Sequence, residues 1–206
     1  MNRDKLQKII DAIEAEIDVF STVMDVTKFR HLQKQLEKYI TTDAVTGAFN
    51  RWKIEEVLEK EINRARHNKS KMGVMMIDVD QLKQINDIHG HNTGDLVLRK
   101  VSHDLEYALD GTVGRPHRLG RWGGDEFVYI LFSKDIRKIR KAVEICQNSL
   151  GGFSYQISQG DSIPITLSFG LAWLKNSDTF ETLVARADKA MYISKKRGGK
   201  KLEISK

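Results

Sequence analysis

Residues 121–130 read Arg-Trp-Gly-Gly-Asp-Glu-Phe-Val-Tyr-Ile, with two glycines and two acids between apolar, strand-like stretches. Successive glycines supply the positive φ angles of a tight hairpin and leave room for a ligand to approach the backbone. Asp125 and Glu126 then lie at or just after the turn, where carboxylate oxygens can hold Mg²⁺ against a phosphate. An ordinary hairpin with solvated acids fits this stretch equally well, so other segments must decide between the two interpretations.

A second acidic segment follows the most apolar strand-like run, residues 72–79, which ends in Asp78-Val79-Asp80. Side chains two positions apart on a strand share a face, and an unpaired buried carboxylate is energetically expensive. Asp80 is also a good candidate for the N-cap of the short helix that follows, which makes Asp78 the better metal ligand. If this strand neighbours the hairpin, Asp78 meets Asp125 or Glu126 in an oxygen-only site suited to Mg²⁺ or Mn²⁺ on a nucleotide phosphate.

Four further polar residues suit a nucleotide beside such a site. Lys83 opens the short helix after the acids, and Lys195 lies two turns after Asp188 on one face of the last helix, so that both could reach phosphates. Asn86 and Asp95 could bind guanine, because a carboxylate accepts two N–H bonds from that base and adenine lacks the donor pair. Taken singly, each of these residues is better explained as a solvated surface position.

The composition of the 206-residue chain excludes several classes of protein. A net charge of +6 suits an anionic ligand, but no basic stripe interleaved with aromatic residues is present, which argues against nucleic-acid binding. Cys146 is the only cysteine, so an intramolecular disulfide and a thiolate metal cluster are excluded. The sequence has neither a signal peptide nor an apolar run of membrane-spanning length, and we expect a cytoplasmic protein without a membrane anchor.

Strand and helix patterns mix without strict βα alternation, which predicts an α+β sandwich with helices over a largely antiparallel central sheet. Residues 3–41 form a long helical pattern without Gly or Pro, and its apolar residues form a narrow seam of coiled-coil type with one register slip. The seam favours a parallel dimer stalk, and a helix packed on its own domain is the alternative. A turn-rich break then divides the chain into an N-terminal helical stalk, residues 1–42, and a second domain, residues 43–206.

Periodicity also predicts the elements of the second domain. In order, these are a helix at 50–67, a strand at 72–79, a short helix carrying Lys83 and Asn86, a loop at 90–94, a helix from Leu98 to Ala108, the hairpin with its second strand at 127–132, a helix at 134–150, strands at 153–157 and 163–173, a helix at 179–197 and a closing strand at 201–204.

Five motifs occur in order: Asp43-Ala-Val-Thr-Gly47, Asp78-Val-Asp-Gln-Leu-Lys-Gln-Ile-Asn-Asp87, Gly90-His-Asn-Thr-Gly-Asp95, Arg121-Trp-Gly-Gly-Asp-Glu-Phe127, and Ala187-Asp-Lys-Ala-Met-Tyr192 with Lys195. From about residue 43 to its end, the chain resembles the GGDEF-domain diguanylate cyclases. Any one motif is weak evidence, whereas five in order are highly specific. The resemblance implies a palm-like core, related to nucleotidyl cyclases and polymerases, that binds one GTP. Two such domains would meet and join two GTP molecules into cyclic di-GMP, releasing two pyrophosphates.

The resemblance also implies roles for the matching residues. Asp78, the Val79 carbonyl and Asp125 would hold Mg²⁺ or Mn²⁺. Asp125 would be the candidate general base, with Glu126 beside it as a further acid. The implied substrate-binding residues are Asn86, Asp95 and, as a weaker contact, His91 for guanine, together with Lys83, Lys195 and the turn glycines Gly123 and Gly124 for the phosphates.

Three segments depart from the family pattern, and one of them, Gln81-Leu82 in place of the more usual His-Phe pair, is a tolerable change. The family's inhibitory product site is an Arg-x-x-Asp shortly before the GGDEF turn, and this chain has Gly114-Arg-Pro-His117 there, so we expect no feedback inhibition through that site. Near the C-terminus many members have Gly-Arg-Asn, where this chain has Gly198-Gly199-Lys200. A phosphate-contacting arginine is therefore missing, and Arg197 and Lys200 are the two candidate substitutes.

We therefore expect an active diguanylate cyclase, a nucleotidyltransferase that works as a homodimer and is regulated through its stalk by an upstream sensor or partner protein. The alternative is a non-catalytic GTP-binding GGDEF module that signals through protein contacts. The altered Gly198-Gly199-Lys200 segment favours that alternative, whereas the intact Asp78, Asp125 and Glu126 argue against it. A nucleic-acid polymerase palm is a poor third interpretation, because the sequence has no additional domain to hold a template.

Overall fold

The computed structural model describes residues 7, 10–12, 26–113, 119–133, 137, 141, 144, 145, 148, 152–156 and 162–205. The chain divides into two compact units, Met1–Thr41 and Thr42–Lys206. In the first unit α1 (Val26–Thr41) is a continuous helix on which Leu32, Leu36 and Tyr39 are exposed. Much of the predicted coiled-coil seam lies outside the described residues: Leu6, Ile13, Ile17, Phe20 and Met24. The dimer stalk therefore stays a prediction.

A five-stranded sheet forms the centre of the second unit, and a two-stranded sheet accompanies it. The strands are β1 (Lys71–Val79), β2 (Leu119–Arg121), β3 (Glu126–Ser133), β4 (Phe153–Gln156), β5 (Ser162–Ile165), β6 (Leu167–Trp173) and β7 (Leu202–Ile204). The order in the large sheet is β2-β3-β1-β6-β7, and β4 pairs with β5. Every pairing is antiparallel except that of β6 with β7. The predicted α+β fold with a largely antiparallel sheet is confirmed.

The central strand β1 is buried from Met72 to Val79 because helices cover both faces of the sheet. The helices of this unit are α2 (Arg51–His67), α3 (Leu82–His89), α4 (His91–Val113) and α5 (Phe180–Lys196). Met75 and Ile77 share one hydrophobic cluster with residues of α3 and α4. Val74 and Met76 point the other way and share a second cluster with residues of α2 and α5. This alternation follows from the two-residue period of a strand.

Helix starts in this unit follow from local capping. The Asn50 side chain accepts a hydrogen bond from Lys53 N at 3.0 Å and caps α2. Thr179 and Thr182 form a reciprocal capping box at the start of α5. Because each cap satisfies backbone N–H groups that have no partner within the helix, these residues fix where the helices begin.

Two predicted boundaries are wrong. The loop at 90–94 does not exist: α4 begins at His91, and only Gly90, with φ +83°, separates it from α3. The predicted strand 163–173 is two strands in different sheets, β5 and β6, separated at Thr166. The periodicity of this mostly apolar run does not reveal that the chain changes sheets at Thr166, and this explains the second error.

Some predictions fall partly or wholly outside the described residues. Of the predicted helix 134–150, the structure describes five residues, all helical: Arg137, Lys141, Glu144, Ile145 and Asn148. The segment 114–117, which replaces the family's Arg-x-x-Asp, lies outside them. None of the helices in the described part of the chain is both long enough and apolar enough to cross a bilayer.

Candidate metal and nucleotide site

The end of β1 lies beside the glycine-rich hairpin. Asp78 is opposite Glu126 of β3 and opposite Ser168 of β6. The backbone N–H of Val79 donates to the carbonyl oxygen of Asp125 at 3.0 Å. Acids from two segments that are distant in sequence therefore meet at one end of the sheet, because the antiparallel register of β1 and β3 brings the strand end to the turn.

Asp78 is the most deeply buried acid of the site, with only 2% of its surface exposed. Its Oδ2 lies 2.6 Å from Lys195 Nζ, while its Oδ1 is buried and has no hydrogen-bond partner among the described residues. Burial raises the pKa of Asp78 to about 7, and the nearby charges of Asp125 and Asp80 act in the same direction against Lys195. The unpartnered oxygen is a position at which a cation would stabilise the charged carboxylate.

Lys195 projects from the last turn of α5 and is partly exposed. Burial lowers the pKa of this lysine, but its hydrogen bond to Asp78 and the charges of Asp78, Asp125 and Asp80 outweigh that effect, and the net pKa is raised. Lys195 is therefore protonated at neutral pH. Its ammonium group lies beside the acids, at a position from which it could also bind a phosphate.

Glu126, the first residue of β3, has a raised pKa. The causes are its burial and then the negative charges of Asp125 and Asp188, which Lys195 and Arg51 oppose. A Cβ atom at Gly123 would lie 2.9 Å from Glu126 Oε2, so the missing side chain at residue 123 leaves space for this carboxylate. A carboxylate with a raised pKa is better matched to accept a proton near neutral pH than a fully solvated one.

The expectation of positive φ angles at Gly123 and Gly124 is wrong, because neither residue lies in the left-handed region. The turn is closed instead by hydrogen bonds. The N–H groups of Trp122 and Gly123 donate to the Glu126 carbonyl at 2.8 and 3.3 Å. The Arg121 guanidinium donates to the carbonyls of Gly123 and Gly124, the shortest bond being 2.7 Å from Nη2 to Gly124 O.

Arg121 also holds Asp43, and sequence reasoning gave neither residue a role. Arg121 Nη1 donates to Asp43 Oδ1 at 3.0 Å. The same oxygen accepts from Thr46 N and Thr46 Oγ1 at 2.9 and 2.8 Å. Burial acts to raise the pKa of Asp43, but these bonds and the Arg121 charge outweigh it and lower the pKa. Both residues belong to the motifs quoted above, which is the sequence signal that could have drawn attention to them. Their spacing in the sequence does not indicate that they form an ion pair.

Asp80 does not cap α3. The N-cap position is Gln81, with φ +60° and no side-chain capping bond. The Asp80 carboxylate instead accepts hydrogen bonds from Thr166 Oγ1 and Ser168 Oγ, each at 2.7 Å. Asp80 therefore ties the end of β1 to the start of β6, and the capping interpretation is wrong.

A cavity of about 580 Å³ opens beside these acids. Its charged lining residues are Asp78, Asp80, Lys83, Asp125, Lys195 and Lys200. This volume is typical of small-molecule sites. Three lysines among three acids suit a ligand that carries phosphates together with a divalent cation.

The residues expected to bind guanine do not line this cavity. Asn86, His91 and Asp95 lie around the junction of α3 and α4. Asn86 Oδ1 is buried without a hydrogen-bond partner in the described part of the chain, and a Cβ at Gly94 would lie 1.8 Å from it. Gly94 therefore makes room for the Asn86 amide, whose oxygen is available to a donor such as a base N–H.

The donor set fits a cation that arrives with its substrate. Among the described residues, no three His, Cys, Asp or Glu side chains form a group that could hold a metal ion. Mg²⁺ often takes only one or two carboxylates and completes its shell with substrate phosphates and water. Asp78, with its unpartnered Oδ1, beside Asp125 suits that mode of binding.

A family profile described as "Diguanylate cyclase, GGDEF domain" matches residues 40–201. The chain belongs to the GGDEF family. The diguanylate cyclase DosC of Escherichia coli is 32% identical over 182 residues, which are 88% of this chain and 39% of DosC. DgcP of Pseudomonas aeruginosa is 29% identical over 97% of this chain and 29% of its own length. This GGDEF chain thus spans well under half the length of these curated relatives.

A solved structure supports the same family. The GGDEF domain of DgcB from Caulobacter crescentus, in complex with c-di-GMP, has a TM-score of 0.69 and 28% identity, covering 80% of this chain and 92% of that one. The C-terminal turn of this GGDEF chain contains the Gly198-Gly199-Lys200 segment. Gly198 and Gly199 both have positive φ, and a Cβ at Gly199 would lie 2.8 Å from Asp80 Oδ2.

Proposed function

We propose that this GGDEF chain condenses two GTP molecules into cyclic di-GMP, with release of two pyrophosphates, in a metal-dependent reaction at the interface of a homodimer. One observation carries the proposal: the buried Asp78 has an oxygen with no hydrogen-bond partner among the residues that the structure describes, beside Asp125 and Lys195 in a cavity of about 580 Å³. Its relatives support the same activity, since DosC is a diguanylate cyclase and the DgcB domain was crystallised with c-di-GMP.

The acids of this cavity would hold the cation. Asp78, the Val79 carbonyl and Asp125 are the proposed ligands of Mg²⁺ or Mn²⁺. When bound, such a cation neutralises phosphate charge and lowers the pKa of an attacking hydroxyl. The proposed proton acceptor for the 3′-hydroxyl is Asp125, with Glu126 beside it as a further acid whose pKa is raised.

The lysines of the cavity would bind the triphosphate. Lys195 now pairs with Asp78, and a cation at Asp78 would free its ammonium for a phosphate oxygen. Lys83 is exposed and lines the same cavity from α3. The turn at Gly123 and Gly124 would let the triphosphate lie against the backbone, because neither residue has a side chain in the way.

The guanine would bind at the α3–α4 junction. Asn86 offers a buried carbonyl oxygen without a partner among the described residues, and Asp95 offers a half-buried carboxylate one turn into α4. These are the acceptors that guanine N–H groups require. His91 is exposed at the first position of α4 and would make a weaker contact.

The reaction requires two copies of the chain, because each 3′-hydroxyl must attack the α-phosphate of the other nucleotide. Leu32, Leu36 and Tyr39 on α1 are apolar and exposed, which supports self-association through this helix. SiaD of Pseudomonas aeruginosa, solved in complex with its activator SiaC, has a TM-score of 0.72 and 27% identity, covering 98% of this chain and 75% of SiaD. By analogy, a sensor or activator protein would regulate the chain in the cytoplasm, where GTP is available.

The direct test incubates the purified chain with GTP and Mg²⁺ and measures cyclic di-GMP by mass spectrometry. We expect product from the wild type and at least a ~10²-fold lower rate for Asp125→Asn, because that variant loses a metal ligand and proton acceptor. Asp104→Asn, the same charge change on α4 outside the cavity, is the matched control and should keep its rate. GTP binding without product in the wild type would contradict the proposal and indicate a non-catalytic module.

A further inference from the structure

The C-terminal turn carries an uncommon backbone. Three consecutive residues after α5 have positive φ: Gly198 at +96°, Gly199 at +67° and Lys200 at +58°. Glycine adopts this region freely, whereas for lysine it is uncommon and carries a cost. A strained non-glycine residue at the rim of a cavity is a reason to look for a function of its side chain.

The turn is fixed rather than loose. Gly199 N donates to Ser194 O at 3.0 Å, and Ser194 Oγ donates to Lys201 O at 2.6 Å. Gly199 is buried against the Asp80 carboxylate: a Cβ there would lie 2.8 Å from Asp80 Oδ2, the oxygen that accepts from Thr166 Oγ1, and 3.2 Å from Ser168 Oγ. A side chain at position 199 would be strained by the positive φ and would have to move the Asp80 carboxylate, so the neighbouring residues are better placed to supply a cation.

Two basic residues flank the two glycines, and their surroundings differ. Arg197 Nη1 donates to Glu203 Oε1 at 2.7 Å, and Arg197 does not line the cavity. Lys200 lines the cavity and has no hydrogen bond or ion pair within the described residues. The last turn of α5 carries two further lysines: Lys195 is already paired with Asp78, and the Lys196 ammonium lies over the Tyr192 ring, 4.6 Å from its centroid.

We propose that Lys200, and not Arg197, binds the nucleotide triphosphate in this chain, with Gly198 and Gly199 positioning it at the cavity rim. The inference rests on the proposed function, because it names the substrate-binding residue that serves this particular site. The left-handed conformation of residue 200 is then retained for the placement of its ammonium group, at the expense of local backbone stability.

The test compares three variants of the full chain in their binding of α,β-methylene GTP with Mg²⁺ by calorimetry. Lys200→Gly removes the cation and suits the backbone, so its thermal stability should equal or exceed that of the wild type. We expect its affinity to fall about tenfold, the size of one lost charge-assisted hydrogen bond. Lys200→Arg should stay within about threefold of the wild type, and Arg197→Ala should bind as the wild type does.

Each outcome decides the inference. Equal affinity of Lys200→Gly and wild type overturns it, as does a loss in Arg197→Ala as large as that in Lys200→Gly. A wild-type chain that does not bind the analogue overturns the inference and the proposed function together. A fourth outcome separates the two proposals. If the wild type binds the analogue, Lys200→Gly binds it about tenfold more weakly and the wild type makes no cyclic di-GMP, only the proposed function is overturned.

Discussion

At the scale of single residues, Asp78 is the most deeply buried acid of the candidate site. Its carboxylate is buried, one oxygen is held by Lys195, and the other has no partner in the described part of the chain. The charged groups that face it come from different parts of the fold. Asp125 lies in the hairpin turn, Glu126 begins β3, Asp80 follows β1, and Lys195 lies in α5. Such a carboxylate is more stable with a proton or a cation than alone.

The first prediction concerns the pH dependence of stability without metal. The pKa of Asp78 is raised from 3.8 to about 7 in the folded protein. Between these two values the folded state binds the proton that the unfolded chain has released, so the free energy of unfolding should fall as pH rises through that window. Asp78→Asn removes this titration. Urea unfolding in EDTA, from about pH 4 to about pH 8, should give a steeper decline for the wild type than for the variant. Parallel curves would show that Asp78 has an ordinary pKa.

The sequence singled out the acids that meet at the end of β1 but not their hydrogen-bond partners. Asp78, Asp125 and Glu126 stand out because acids interrupt apolar runs, which is a local signal. The bonds from Arg121 to Asp43 and from Thr166 and Ser168 to Asp80 join segments far apart in the chain. Hydroxyl and guanidinium groups have many possible partners in a sequence, and only the fold selects among them.

At the scale of elements, α5 links the sheet to the site. It lies on β6 so closely at Gly170 that a Cβ there would be 2.1 Å from Met191 N and 2.2 Å from Ala187 O. One turn after Met191, the same helix places Lys195, whose ammonium pairs with Asp78. The absence of a side chain at residue 170 therefore sets the distance between the helix and the acids.

The second prediction tests this contact. Gly170→Ala should lower the free energy of unfolding by about 1–3 kcal/mol, because the clash is with helix backbone and no side-chain rotation relieves it. Gly152→Ala is the matched control: its nearest neighbours lie at 3.9 Å, so the change should stay within about 0.5 kcal/mol. Urea denaturation of both variants measures the difference. Equal stability of the two would mean that α5 does not pack against β6 in this way.

Element prediction succeeded where the periodic pattern is local and failed where tertiary contacts decide. The strand β1 and the helices α2 and α5 follow from apolar spacing alone. The start of α4 was missed because Gly90 and Gly94 indicated a loop, whereas Gly94 is a helical residue that makes room for Asn86. A glycine retained for packing cannot be told from a loop glycine without the partner side chain.

At the scale of the whole molecule, the proposed reaction needs two chains, and the stalk is the proposed means of bringing them together. The apolar residues Leu32, Leu36 and Tyr39 of α1 are exposed in the single chain. Their spacing of four and three residues is that of a coiled-coil seam. The register slip in this seam is a proposed regulatory element, because it changes the local supercoil winding.

The third prediction follows from that proposal. A four-residue insertion near Asp25 shifts the seam relative to the GGDEF domain, and the rate of cyclic di-GMP synthesis should change several-fold. A heptad insertion at the same place lengthens the helix and preserves the seam, so it serves as the control and should restore the rate. Identical rates for the two insertions and the wild type would reject a regulatory role of the stalk.

The most direct measurement is a crystal structure of the chain soaked with α,β-methylene GTP and Mn²⁺, with the metal located by anomalous scattering. We expect a Mn²⁺ peak contacted by Asp78 and Asp125 and by the triphosphate, with Lys195 moved from Asp78 Oδ2 to a phosphate oxygen. A bound nucleotide with no metal peak at these carboxylates, and Lys195 still on Asp78, would contradict this expectation.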